Sequence, residues 1–315
     1  VTFWTAGPGD AGERLDRHVS ARLDVPRNQV QRWIRDGHVR VDGRQEKPSY
    51  SMTEGDRIDC DPPEPRDDRV SPEEGDLRIL HEDADLVVLD KPAGLTVHPG
   101  AGRKTGTLAH HLLARYPEMA GVGGPGRPGI VHRLDQGTSG VIAVARTAAA
   151  YHRLARAFAG REVDKRYLAV AYGEPKPPEG TVDAPIGRHA VKRKEMTVRA
   201  DGRPSRTGYR TLAARAGISL VELHLETGRT HQIRVHLKHI GHPLVGDPVY
   251  GEARWKGLPR SVQARLRDFP RPALHAWRLA LTHPIDGRRL EFEAPVPEDL
   301  RELWEGVTGL PTTAL

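Results

Sequence analysis

The residues best suited to chemistry lie in the block GIVHRLDQGTSGVIAVAR, residues 129–146, which sets His132, Arg133 and Asp135 between two strand-like runs. A lone carboxylate at such a turn is costly unless a cation stands close, and a partner such as Arg234 would keep it ionised. An ionised, oriented aspartate can act as a nucleophile or as a base. It can equally be structural, hydrogen-bonding the turn through Gln136 to Gly140. The local string leaves both readings open.

Other constellations carry less. The glycines at 121, 123 and 126 have the spacing of a dinucleotide fingerprint, but a strand follows them where that motif needs a helix. PGAGRKTGT, residues 99–107, lacks the Gly-Lys-Ser/Thr ending of a phosphate loop and reads as a loop entering a helix. His231, His236, His239 and His242 do not reproduce a zinc helix, and no nearby carboxylate completes a ligand set. Neither Ser139 nor Ser205 sits in a nucleophile elbow. No metal is expected.

These residues need a scaffold. With 315 residues the chain has room for about two domains. Apolar residues are 37% and charged residues 29%, the balance of a soluble globular protein. Without an apolar run of about 18 residues or a signal-like N-terminus, membrane spanning is excluded and the cytoplasm is expected. The single Cys60 builds no disulfide framework and reads as a buried strand residue. Lys and Arg exceed Asp and Glu, 48 against 42, which favours an anionic partner. Residues 188–210 hold eight Arg or Lys against two acids, a stretch able to line up phosphates or simply to form a solvated hairpin.

Residues 13–23 and 29–34 read as short amphipathic helices, with Leu15, Val19 and Leu23 on one face and Val30, Trp33 and Ile34 on the other, and Gly37 ends the second. HVRVDGR and DRIDC alternate as strands, with Asp42-Gly43 a tight turn. Arg27, Arg32, Arg35, Arg40 and Arg44 form a cationic ridge or a balanced salt-bridge network. The Pro-rich, acidic residues 61–76 read as a linker. Beyond it LRILHED, LVVLDKPAG, GIVHRL, GVIAVAR, RYLAVAYG and ISLVELHLE read as strands. Helices are expected at 106–115, 148–158, 230–240 (capped by Thr230, ended by Gly241) and near the C-terminus. Adjacent strands without intervening helices predict an α+β fold with a mixed, mostly antiparallel sheet.

Four blocks then carry a resemblance: DKPAGLTVHPG at 90–100, HRLDQGTSG at 132–140, DKRYLAVAYG at 164–173 and ETGRTHQIRVHLKHIGHPLVGDPVYG at 226–251. In this order, over residues 77–307, the chain resembles the RluA-type RNA pseudouridine synthases, most of all those of the large ribosomal subunit. ERLDRHVSARLDVPRNQVQRWIRDGHVRVDG resembles an S4 RNA-binding domain of αL type. The resemblance implies an S4-like domain at 12–61, a linker at 62–76 and a pseudouridine synthase catalytic domain at 77–308. It implies isomerisation of uridines in a stem-loop of large-subunit (23S) ribosomal RNA by a monomer without a cofactor. Asp135 then matches the catalytic aspartate, Tyr167 the active-site tyrosine, Arg234 the basic partner of the aspartate, and Arg133 the arginine that displaces the target base. Further RNA contacts are expected from His132, Arg188, Lys192, Arg193 and Lys194, and from Arg32 and Arg35 on the S4-like module. Where many relatives have Lys or Arg after the aspartate, this chain has Gln136. Two other classes compete, a non-catalytic RNA-binding assembly factor and a uracil-releasing hydrolase. Hydrolysis is disfavoured because no second carboxylate is expected to pair with Asp135.

Overall fold

The computed structural model describes residues 2–63, 70–100, 102–124, 126–192 and 195–312. The chain divides into two compact units, Val1–Asp68 and Arg69–Leu315.

In the first unit β1 (Thr2–Thr5), α1 (Leu15–Leu23), α2 (Arg27–Arg35), β2 (Val39–Val41) and β3 (Arg57–Cys60) form two helices on an antiparallel sheet of order β1-β3-β2. Leu15, Val19, Val30 and Ile34 meet Trp4, Met52, Ile58 and Cys60 in one core. The outward-reading cations divide in two. Arg14, Arg27 and Gln31 all donate to the fully buried Asp16 carboxylate, clamping α1 to α2. Burial alone would raise the Asp16 pKa, and these donors instead hold it well below the usual carboxylate range. Arg27 therefore leaves the expected ridge, while Arg32 and Arg35 remain exposed on α2. Asp42 and Gly43 both take positive φ, as a two-residue turn requires, but the returning strand β3 starts only at Arg57.

The second unit contains β4 (Arg78–Glu82), β5 (Leu86–Lys91), α3 (Leu108–Arg115), β6 (Ser139–Ala145), α4 (Ala148–Gly160), β7 (Asp164–Tyr172) and β8 (Glu179–Asp183). It continues through β9 (Ile186–Arg188), β10 (Met196–Val198), β11 (Arg206–Arg215), β12 (Ile218–Leu225) and α5 (Gln232–His239). It ends with α6 (Arg260–Asp268), β13 (Leu274–Thr282), β14 (Arg289–Glu293) and α7 (Glu298–Thr308). The main sheet runs β4-β5-β6-β13-β7-β12-β11-β8, with β14 also on β13, and β9 and β10 form a separate hairpin. Every pairing in the main sheet is antiparallel except β13 with β6, so the mixed, mostly antiparallel α+β expectation holds.

Helices cover both faces, which is why LVVL, GVIAVA and YLAVAY read as continuous apolar runs. Along β7, Tyr167, Ala169 and Ala171 join the core that contains α3 and α5, while Val170 and Tyr172 join the one that contains α6 and α7. Two expected elements differ. GIVHRL is not a strand: Ile130 alone bridges Val144, and β6 then gives its remaining edge to β13, so residues 131–138 leave the sheet as a loop. Thr230 does not cap α5. His231, at φ 57°, precedes the helix, and Gln232 Oε1 accepts from Thr227 and from the Arg229 amide to hold the turn.

The β4–β5 turn is held by Asp83, whose carboxylate accepts the Asp85 and Leu86 amides at 2.9 and 2.8 Å and lies 2.8 Å from His81 Nε2. Burial opposes ionisation, yet these donors and His283 bring its pKa down to about 2. A depressed carboxylate stabilises the fold above its unfolded pKa and loses that stabilisation as pH falls through its folded pKa. Asp83→Asn is thus expected to cost about 2 kcal/mol at neutral pH. Urea melts should show the gap narrowing between about pH 4 and pH 2.

Candidate active site

A cleft of about 630 Å³ is lined by the 130–135 loop, α4, β7 and the segment leading into α5. Asp135 enters it from a loop pinned at several points. The Thr138 amide donates to Asp135 O at 3.0 Å, and Gly94 and Gln136 exchange two hydrogen bonds, 2.8 Å through the Gly94 amide and 3.3 Å through the Gln136 side chain. Buried Lys91 donates to the carbonyls of Pro92 and Leu95 at 2.9 and 2.8 Å, with the Gln136 carbonyl at 3.5 Å. Burial brings the Lys91 pKa down to about 7, against which three carbonyl oxygens match the three protons of its charged form. Arg271, bidentate on Asp299, donates to Gly137 O at 3.3 Å. Gly140 follows at φ 112°, where a Cβ would stand 2.1 Å from the Ala276 carbonyl, so no other residue lets β6 approach β13.

Asp135 Oδ2 lies 3.1 Å from Nη1 of Arg234, which projects from α5. The rest of that guanidinium is bidentate on Asp247, at 2.7 and 2.8 Å, over the face of Tyr250. Asp247 is fully buried and also accepts the amides of Val249 and Tyr250. Burial raises its pKa, but Arg234 and those amides hold it below the usual range. A permanently charged fork is thereby aimed, with one N–H group left for Asp135. His231 Nε2 stands 3.9 Å from the same Asp135 oxygen, and its Nδ1 is 2.8 Å from the Tyr250 hydroxyl. Burial lowers the His231 pKa, opposed by the charge of Asp135.

Tyr167 lines the cleft while belonging to the core. Burial, and then the charge of Asp135, push its phenol far above the usual range, so it keeps its proton. Arg133 is exposed at the rim and has no carboxylate in ion-pair distance among the described residues. His132 is a wall rather than a phosphate partner. Its Nε2 accepts the Ala143 amide at 2.9 Å, its ring stacks on Phe158 at 4.3 Å, and burial, aided by Lys165, lowers its pKa to about 3.

Of the expected hairpin cations, Arg188 closes β9 and Lys192 pairs with Glu195 at 3.3 Å, and neither lines the cleft. Arg193 and Lys194 lie outside the described residues. Arg32 and Arg35 belong to the other unit. The four histidines from 231 to 242 do not converge: His236 bonds Thr207 and Ala184, and His242 bonds Tyr172 O.

Sequence reasoning missed Asp247, His231 and Lys91. Asp247 is the second carboxylate that was not expected near Asp135, although it is turned to Arg234 and closed to the cleft. Its signal was an acid embedded in the apolar string PLVGDPVYG, where a charge needs a buried partner.

Residues 85–239 match the RNA pseudouridylate synthase family and residues 13–58 match the S4 domain. The chain belongs to the RNA pseudouridylate synthase family and is an RNA-modifying isomerase. Among its relatives, an uncharacterized RNA pseudouridine synthase of Bacillus subtilis is 43% identical over 304 residues, 96% of this chain and 97% of that protein. The ribosomal large subunit pseudouridine synthase D of Escherichia coli K12 is 42% identical over 305 residues, 96% of this chain and 92% of that protein. The human RNA pseudouridylate synthase domain containing 4 superposes with a TM-score of 0.56 at 28% identity, covering 73% of this chain and 92% of that one.

Proposed function

We propose that this enzyme isomerises uridines to pseudouridine in a stem-loop of large-subunit (23S) ribosomal RNA, with Asp135 as nucleophile or base. The observation that carries the assignment is the Asp135 carboxylate, 3.1 Å from a guanidinium that buried Asp247 holds in place, at an open cleft. The name of the Escherichia coli relative supports the choice of RNA.

Conversion breaks the N1–C1′ bond, turns the uracil and joins C5 to C1′. Asp135 either attacks C1′ or assists departure of the base, and Arg234 keeps its free oxygen oriented. Tyr167, protonated, offers a ring face and a hydroxyl beside that carboxylate. The target must first leave its stack, at a cost of a few kcal/mol. Arg133, exposed at the rim and without an ion-pair partner among the described residues, refills the vacated place. Phosphates along the RNA are met by Arg188 and Lys192 with the neighbouring Arg193 and Lys194, and by Arg32 and Arg35 on an S4-like domain spanning 12–61, ahead of a catalytic domain at 77–308. The enzyme acts as a cytoplasmic monomer.

Mapping pseudouridines in ribosomal RNA from cells with and without the gene tests this reading. Positions that lose pseudouridine should all fall in the large-subunit RNA, and purified enzyme should restore them. An unchanged map would leave the non-catalytic assembly factor, and free uracil in the reaction would identify a hydrolase.

A further inference from the structure

Among the described residues, one cation in the cleft has no bonded counter-charge. Lys165 on β7 is nine-tenths buried and lines the cleft, and among the described residues no carboxylate or carbonyl lies in bonding distance of its Nζ. The charge of the adjacent Asp164 favours the Lys165 ammonium, but its carboxylate makes its ion pairs with Arg166 and His224 and none with Lys165. Phe158, stacked on His132, stands 6.0 Å from the Lys165 ammonium, and burial lowers the Lys165 pKa. An ammonium held in such a place costs several kcal/mol unless a partner arrives.

The partner is the base rather than a phosphate. RNA phosphates stay on the outer chain, where Arg127, Arg133 and Arg161 are exposed at the rim. Lys165 lines the cleft together with the stacked His132–Phe158 pair and Tyr167 and is buried where those arginines are exposed, which favours an extruded ring as its partner. It shares a sheet face with Tyr167, roughly 7 Å along the strand, about the span from a ribose carbon to the far edge of a pyrimidine. When N1–C1′ breaks, the bonding pair stays on uracil and spreads from N1 over O2 and O4. That charge persists until C5 bonds to C1′, after which the C5 proton is released and N1 takes one up. Arg234 is occupied by two carboxylates and His132 is neutral, so neither opposes the charge.

We propose that Lys165 is a catalytic residue whose ammonium contacts and stabilises the anionic uracil between cleavage and rejoining. The inference rests on the uridine chemistry assigned to Asp135 above. Its test compares Lys165→Met and Lys165→Arg in single-turnover loss of the target nucleoside from one RNA stem-loop carrying uridine or 5-fluorouridine there, read after digestion by chromatographic separation with mass detection, since pseudouridine has the mass of uridine and the fluorinated base has no C5 proton to release. Fluorine withdraws electrons and makes the base a better leaving group. Lys165→Met should slow the uridine RNA by about 100-fold or more, the 5-fluorouridine RNA by about tenfold less than that, and leave RNA affinity and its salt slope unchanged. Lys165→Arg should keep most of the rate.

The ratio of the two rates is internal to each variant, so partial unfolding cannot imitate it. An unchanged ratio, or a loss confined to RNA affinity with a shallower salt slope, would overturn the proposal. Wild-type enzyme that leaves uridine intact, or an Asp135→Asn variant that still converts it, would instead sink the reading beneath it.

Discussion

Asp135→Asn should lose conversion of uridine by about four orders of magnitude or more while still binding the RNA. The amide has the shape of the carboxylate, and its oxygen can still accept from Arg234 Nη1 at the 3.1 Å site, so the loop anchored by Lys91, Gly94 and Arg271 stays in place. What disappears is the lone pair and charge that attack C1′ or assist departure of the base. Tyr167 cannot substitute, because its phenol holds its proton far above neutral pH, and Asp247 is closed to the cleft. Release of tritium from C5-labelled uridine, with gel-shift binding and a thermal melt on the same preparation, measures all three quantities. Conversion within about tenfold of wild type would remove Asp135 from the chemistry.

Arg234→Lys should cost less turnover than Asp135→Asn, but here stability falls as well. The guanidinium bonds both oxygens of Asp247 and still reaches Asp135, and a lysine, as a point charge, cannot serve both at that geometry. Breaking one partner from a buried ion pair typically costs about 3 kcal/mol or more, so the urea midpoint should drop clearly. Asp135, released from its fixed donor, should lose about 10²- to 10³-fold in turnover. Asp247→Asn should reproduce most of the activity loss, although Asp247 faces no substrate, and the double variant should be far from additive. Additive losses would mean that the two carboxylates are held independently.

How far the chain could be read depended on the range of the interactions involved. The α+β class, the apolar strands LVVL and GVIAVA and the Val30, Trp33, Ile34 face of α2 are visible because burial periodicity is local. GIVHRL has the same local look as those strands, yet becomes a loop because β13, from more than a hundred residues later, takes the edge it would need. Thr230 has the look of a cap, but Gln232 ties the turn through Thr227 and Arg229 and shifts the start of α5. Arg27 reads as one cation in a ridge and is spent on buried Asp16.

Residue identity already held the chemistry of the catalytic string, since an aspartate between apolar runs demands a cation and four ordered motifs say which one. Position along a chain, however, does not show that the arginine meeting Asp135 across 99 residues also holds a second, buried carboxylate, or which cation of the cleft is left without a bonded partner. Packing settled that Asp247 anchors the arginine, that His132 is a neutral wall, and that Lys165 stands buried without a bonded counter-charge among the described residues. The reason is physical: desolvation and pairing are properties of the surroundings that folding assembles, and a side chain acquires them only once its neighbours have arrived.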